Sequence, residues 1–90
     1  MATLQETQAR HAQDVISGNM AGLMGDFTPA GLAKAMATMT NPIKATSYKA
    51  KDLGNNEAEI SYIGDTTRVV WSKWVESGGK WQIEDLAERS

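Results

Sequence analysis

Residues 66–87 read TTRVVWSKWVESGGKWQIEDLA, two runs of alternating apolar and polar side chains around Ser77-Gly78-Gly79. A period of two marks a strand with one buried face, and a glycine pair between two such runs suits a two-residue hairpin turn. With Gly78-Gly79 as that turn, Glu76 stands opposite Trp81, Trp74 opposite Ile83 and Lys73 opposite Glu84. Opposite charges and like bodies then meet across the hairpin, which cross-strand pairing rewards at about 0.2–1 kcal/mol per pair.

The same period holds upstream. KATSYKAKD (44–52) and EAEISYI (57–63) read as two further strands, separated from each other and from the hairpin by Gly54-Asn55-Asn56 and Gly64-Asp65. A three-residue loop at 54–56 pairs Tyr48 with Tyr62, Ala50 with Ile60 and Lys51 with Glu59. No gap of helix length separates the four strands, so the sheet is expected to be an antiparallel meander.

A two-residue middle turn at Gly64-Asp65 gathers Tyr48, Ala50, Ala58, Ile60, Tyr62, Val69, Trp71, Val75 and Leu86 on one face, the side helices are expected to cover. Val70, Trp74, Trp81 and Ile83 fall on the other face, a larger apolar patch than a monomer usually exposes. Those four residues are therefore the expected dimer interface, with two chains packed sheet on sheet about a two-fold axis. A bulge near Ser72 is the alternative, swapping the faces halfway along the third strand and burying both sets in one chain.

Before Pro42 the period is helical. Leu4, Ala12, Val15, Ile16, Met20, Leu23, Met24 and Phe27 recur at three-and-four spacing, opened by Thr3 and Glu6 as a capping box. Gly18-Asn19 interrupts this run and predicts a bend or break, because glycine costs a helix interior roughly 0.8–1 kcal/mol. Gly18 and Gly22 predict close packing against a sheet or a neighbouring helix. Thr28-Pro29 reads as a second N-cap and first helical residue, with Leu32, Ala35, Met36 and Met39 on one face and Asn41-Pro42 as the stop.

Ninety residues make one α+β domain, 1–90, whose thin core buries only about 60–65% of the surface its unfolded chain exposes. The chain has no cysteine, which excludes disulfides, thiolate metal sites and a thiol nucleophile. Its net charge of −2 is spread without a basic cluster, so nucleic acid is not an expected partner. No run approaches the roughly 20 apolar residues that span a bilayer, and the first residues lack a signal-peptide core; a cytoplasmic setting is the expectation.

Helices first, then a meander ending in G-G-x-W-x-I, resembles the nuclear transport factor 2-like superfamily, in particular its small SnoaL-like branch. The residues that carry the resemblance are the break at Ser17-Gly18-Asn19, the Leu23–Phe27 segment, the Thr28-Pro29 helix start and Gly79-Lys80-Trp81-Gln82-Ile83. The resemblance implies a cone-like, cystatin-like architecture in which helices pack in the concavity of a curved sheet, often around an apolar cavity and often in a dimer. The present chain is short for that pattern, with little room for an additional hairpin.

His11, the sole histidine, lies on the inward stripe Leu4, Gln8, His11, Val15 and Asn19, with Asp14 one turn on as its expected orienting partner. It is either a proton carrier or a helix-edge imidazole. Tyr48, Tyr62 and Trp71 share the helix-facing side and are candidates to line a pocket or to be core aromatics. Asp85 is a candidate base if the alternation holds it on an apolar face, and a solvated carboxylate if the strand frays. Met20, Met24, Met36 and Met39 either line an adaptable cavity or fill the core.

No metal cluster, paired carboxylate, phosphate-cradling loop or cofactor motif is legible. The leading functional expectation is a small dimeric domain that binds a small apolar ligand without catalysis. Its rivals are a proton-transfer enzyme of the isomerase, cyclase or dehydratase type acting on an apolar ring compound, and a structural dimerisation module.

Overall fold

Thr3 opens the first helix. Its hydroxyl accepts the Glu6 amide at 3.1 Å while the Glu6 carboxylate accepts the Thr3 amide at 2.9 Å, a closed capping box at the start of α1 (Leu4–Ser17). The computed structural model describes residues 3–38 and 42–89. The break expected after Ser17 is present: Gly18 takes φ 74°, the left-handed conformation glycine adopts freely, and the Asn19 amide returns to the Asp14 carbonyl at 2.9 Å. Asn19 then caps α2 (Met20–Met24), its side chain accepting the Gly22 amide. Thr28 caps α3 (Pro29–Thr38) in the same way, accepting the Gly31 amide at 3.0 Å, with Pro29 first in the helix. Met39 and Asn41, the last apolar residue and half of the stop signal, lie outside the described residues.

The strands β1 (Ser47–Gly54), β2 (Glu57–Ile63), β3 (Thr67–Ser77) and β4 (Lys80–Arg89) form one antiparallel meander in that order, so the fold is α+β with helices first and sheet second. Tyr48 pairs with Tyr62, Ala50 with Ile60 and Lys51 with Glu59, as the turn composition required. Asn55 and Asn56 make that turn at φ 54° and 62°, values asparagine tolerates. In the last hairpin Trp74 meets Ile83 and Glu76 meets Trp81, also as expected.

Two one-residue departures overturn the expected faces. The middle loop holds Gly64, Asp65 and Thr66, pairing Ile63 with Thr67 and so Ile60 with Val70; a two-residue turn would have set β3 one place earlier. Because side chains alternate, that single residue turns the whole of β3 over. A bulge opposite Lys73-Trp74 then leaves Glu84 as an additional residue of β4, so Lys73 meets Asp85 instead of Glu84 and Leu86 joins Ile83 on one face. The alternative of a face swap near Ser72 is overturned as well: β3 keeps Val70, Ser72 and Trp74 on one buried face throughout, and the bulge lies at Glu84, where it turns over the end of the neighbouring strand.

Together these shifts bring Ile60, Tyr62, Val70, Trp74, Ile83 and Leu86 under the helices, where they form one core with Ala12. Val70, Trp74 and Ile83 are 8%, 1% and 1% exposed within a single chain, and Trp81 packs against the same cluster. The four residues expected at a dimer interface are therefore spent on the chain's own core. Trp71, expected under the helices, lies on the far face: its indole N–H donates to Glu57 at 2.9 Å and the Arg89 guanidinium stands 5.2 Å above the ring. Ala50, also expected inward, is exposed, because of β1 only Tyr48 is partly covered by the helical layer.

The connector between α2 and α3 is sewn to the free edge of β4. The Ile83 amide donates to the Asp26 carbonyl at 2.7 Å and the Thr28 amide donates to the Ile83 carbonyl at 3.0 Å. The Gln82 amide group adds bonds to the Gly25 and Phe27 carbonyls, both at 3.2 Å. The edge of β4 is occupied at Ile83, and Asp26 is fixed over the core. Gly31 allows α3 this close: a methyl group there would stand 1.9 Å from the Ile83 carbonyl oxygen. Among the described residues no helix is long and apolar enough to cross a membrane.

Candidate functional site

Between the helices and the sheet lies a cleft of about 650 Å3. Tyr62, Val70 and Leu86 supply its floor from the sheet, and His11 and Val15 a wall from α1. Leu23, Phe27, Leu32, Ala35 and Ile43 complete an interior that is apolar except for His11 and Tyr62, while Met20, Met24 and Met36 stand at its exposed rim. Of the two readings of the methionines, Met20, Met24 and Met36 follow the first: they border the cleft and are not core filler, while Met39 lies outside the described residues.

His11 is 6% exposed, held edge-on between Trp74, with ring centres 5.5 Å apart, and Phe27, at 5.9 Å. Its Nδ1 lies 2.8 Å from the Asp26 carboxylate, and Asp26 is itself 3% exposed. The second Asp26 oxygen accepts a hydrogen bond from the Arg10 guanidinium, which also donates to Asp14 at 2.6 Å. Burial favours the protonated Asp26 carboxyl, but hydrogen bonds from His11 and Arg10 and attraction to both groups outweigh it, leaving its pKa below the ordinary carboxylate value. Arg10 is held charged chiefly by its hydrogen bond to Asp26. With Nδ1 committed to a carboxylate, Nε2 is the imidazole nitrogen left for an occupant of the cleft.

Tyr62 lines the same cleft, and burial, then the nearby charge of Asp26 and the proximity of Tyr48, push its phenol well above the ordinary tyrosine range. It remains a hydroxyl, with a proton it can donate to an occupant of the cleft. On the far side of Asp26 a smaller recess of about 360 Å3 carries Arg10, Thr7 and Lys80. The carboxylate thus stands between a polar opening and the apolar one, with the imidazole as its link to the latter.

The cleft unites two of the residues singled out from the sequence, His11 and Tyr62. Asp14 is not the partner of His11; it is held by the Arg10 guanidinium one turn back and accepts from the Asn19 amide group at 3.2 Å. Tyr48 is opposite Tyr62 and packs on the core without reaching the cleft. Trp71 is on the other side of the sheet. Asp85 is displaced by the β4 bulge: its side chain is 40% exposed, 3.5 Å from the Lys34 ammonium, and accepts the Leu86 amide.

Asp26 was missed, although one signal was present. Between Asp14 and Lys34 it is the only charged residue, set in MAGLMGDFTPA. A lone carboxylate in an apolar stretch needs a partner when it is buried. Among the described residues no three His, Cys, Asp or Glu side chains group to hold a metal ion. No protein-family model, curated protein or solved structure matches the chain.

Proposed function

We propose that the chain binds a small, mostly apolar compound carrying one polar group, whose polar end meets His11 and Tyr62. The observation that carries this reading is the composition of the cleft: an apolar interior with two polar side chains, one of them oriented from behind by a buried carboxylate. Sites of this kind, concave and apolar with a few fixed polar groups, are where small molecules lodge. The resemblance to the nuclear transport factor 2-like superfamily belongs to the same proposal, supported by the order of helices and meander and by the position of the cleft between them. Pairing of two chains is not part of it, since of the residues that suggested a dimer Val70, Trp74 and Ile83 are buried and Trp81 is partly buried within one chain.

Thermal melting and tryptophan emission against aromatic, steroid-like and lipid-like compounds and the neutral dye Nile red test this reading. A ligand at 100 times its Kd adds about 2.7 kcal/mol to the folded state, a shift of about 10–20 °C in a domain this small. A panel without any stabilising compound defeats the proposal.

The His11–Asp26 pair favours a second reading, proton transfer on a bound ring ketone. Nε2 takes a proton from the carbon beside the carbonyl, the C–H electron pair moves into an enolate, and the Tyr62 hydroxyl donates a hydrogen bond to its oxygen. Return of the proton completes an exchange with solvent. In heavy water, 2-tetralone is expected to gain deuterium beside its carbonyl faster with the protein than without it, and His11→Gln is expected to bind the ketone while losing that acceleration. Equal uptake with and without protein leaves binding as the sole function.

A further inference from the structure

Methionine is among the residues most often buried, yet Met20, Met24 and Met36 are 64%, 56% and 74% exposed, and all three border the same apolar cleft. These are all the methionines among the described residues, and the chain has no cysteine, so their thioethers are the sulfur atoms it offers to an oxidant there. Met20 and Met24 lie one turn apart on α2, a five-residue helix without a buried residue, and Met36 comes from α3. Two separate elements thus place flexible, polarizable side chains at one mouth.

We propose that Met20, Met24 and Met36 form an oxidation-sensitive rim through which peroxides lower the affinity of the cleft for its apolar ligand. The inference rests on the ligand-binding reading and adds its regulation. A thioether lone pair attacks the hydroxyl oxygen of a peroxide, the O–O bond breaks as the S–O bond forms, and the released hydroxide, or alkoxide from an alkyl peroxide, takes the proton left on that S–OH and departs as water or as an alcohol. Sulfur loses two electrons and the peroxide gains them. Each sulfoxide replaces an apolar contact with a polar group that needs water or a hydrogen-bond donor, which the apolar surface of the ligand does not supply. An external dithiol, acting through methionine sulfoxide reductase, gives two electrons and two protons to each sulfoxide, becomes a disulfide and releases the oxygen as water, which restores the rim.

Nile red titration before and after mild hydrogen peroxide treatment, with peptide mass mapping of each methionine, tests the proposal. The expected results are early oxidation of Met20, Met24 and Met36, about tenfold weaker dye binding, and recovery with methionine sulfoxide reductase. The variant carrying Met20→Leu, Met24→Leu and Met36→Leu keeps apolar bulk without sulfur and is expected to bind the dye before and after peroxide alike. Unchanged affinity in wild-type protein mapped as sulfoxide at all three positions overturns the rim while leaving the cleft intact. So does an affinity loss that persists in the leucine variant, or oxidation that spares these positions. Failure of the reduced protein to bind Nile red removes the cleft as its site, and the rim with it.

Discussion

Trp74→Ala is expected to lower the free energy of unfolding by about 4 kcal/mol, the range for deleting a large buried aromatic side chain, and to leave the sedimentation coefficient of the folded protein unchanged. The indole is 1% exposed, packs edge-on against His11 and donates its N–H to the Ser72 hydroxyl at 2.8 Å. Alanine removes all three interactions and leaves a cavity under α1. Domains of this kind have about 5–15 kcal/mol in total, so a 90-residue chain has little to spare. Urea unfolding followed by far-ultraviolet circular dichroism measures the loss. Trp74→Phe, which keeps most of the volume and gives up the bond to Ser72, is expected to lose less, about 1–2 kcal/mol. The opposite pattern, unchanged unfolding with a fall in molecular weight, would put Trp74 between chains and not within one.

That experiment bears on the one place where the sequence misleads. Both outer hairpins were legible because their turns are short and their compositions narrow: Asn55-Asn56 accepts two positive φ values, and Gly78-Gly79 does the same at 60° and 83°. Gly64-Asp65-Thr66 has no such mark. Glycine followed by aspartate reads equally well with or without the threonine, and one residue decides which face β3 presents. The bulge at Glu84 is as silent, since an additional residue in a strand leaves the alternation broken at a single position. Weighing apolar bulk would have done better. The observed register puts Val70, Trp74, Ile83 and Leu86 beside Ile60 and Tyr62, whereas the expected one divides them between two faces.

The site was half legible for a related reason. A helical stripe is a local property, so His11 could be placed inward from α1 alone, and Tyr62 from its hairpin. The partner of His11 is a tertiary matter. Asp26 reaches the imidazole only because the α2–α3 connector is bonded to Ile83 at the edge of β4, 57 residues further along the chain. Asp14, three positions from His11, was the local answer, and Arg10 claims it instead.

Asp26→Asn is expected to destabilise the protein at neutral pH by about 3 kcal/mol, the lower part of the range for breaking a buried ion pair. The lower part applies because the Arg10 side chain is 48% exposed and retains Asp14. The pH dependence is the sharper signature. Since the folded state holds the Asp26 pKa below its ordinary value, the stability this carboxylate contributes is fully present above its unfolded pKa, about 3.9, and is lost as pH falls through the folded value. The difference in unfolding free energy between wild type and variant is therefore expected to shrink on acidification toward pH 3. Glu6 and Glu88, whose pKa values are also lowered, remain in both proteins and cancel from that difference. The folded variant is further expected to bind Nile red more weakly, because an uncharged amide holds the imidazole less firmly than a carboxylate does. A difference that stays flat into acid would mean that Asp26 bears no charge worth stabilising in the folded protein, and the electrostatic basis of the His11 site would fall with it.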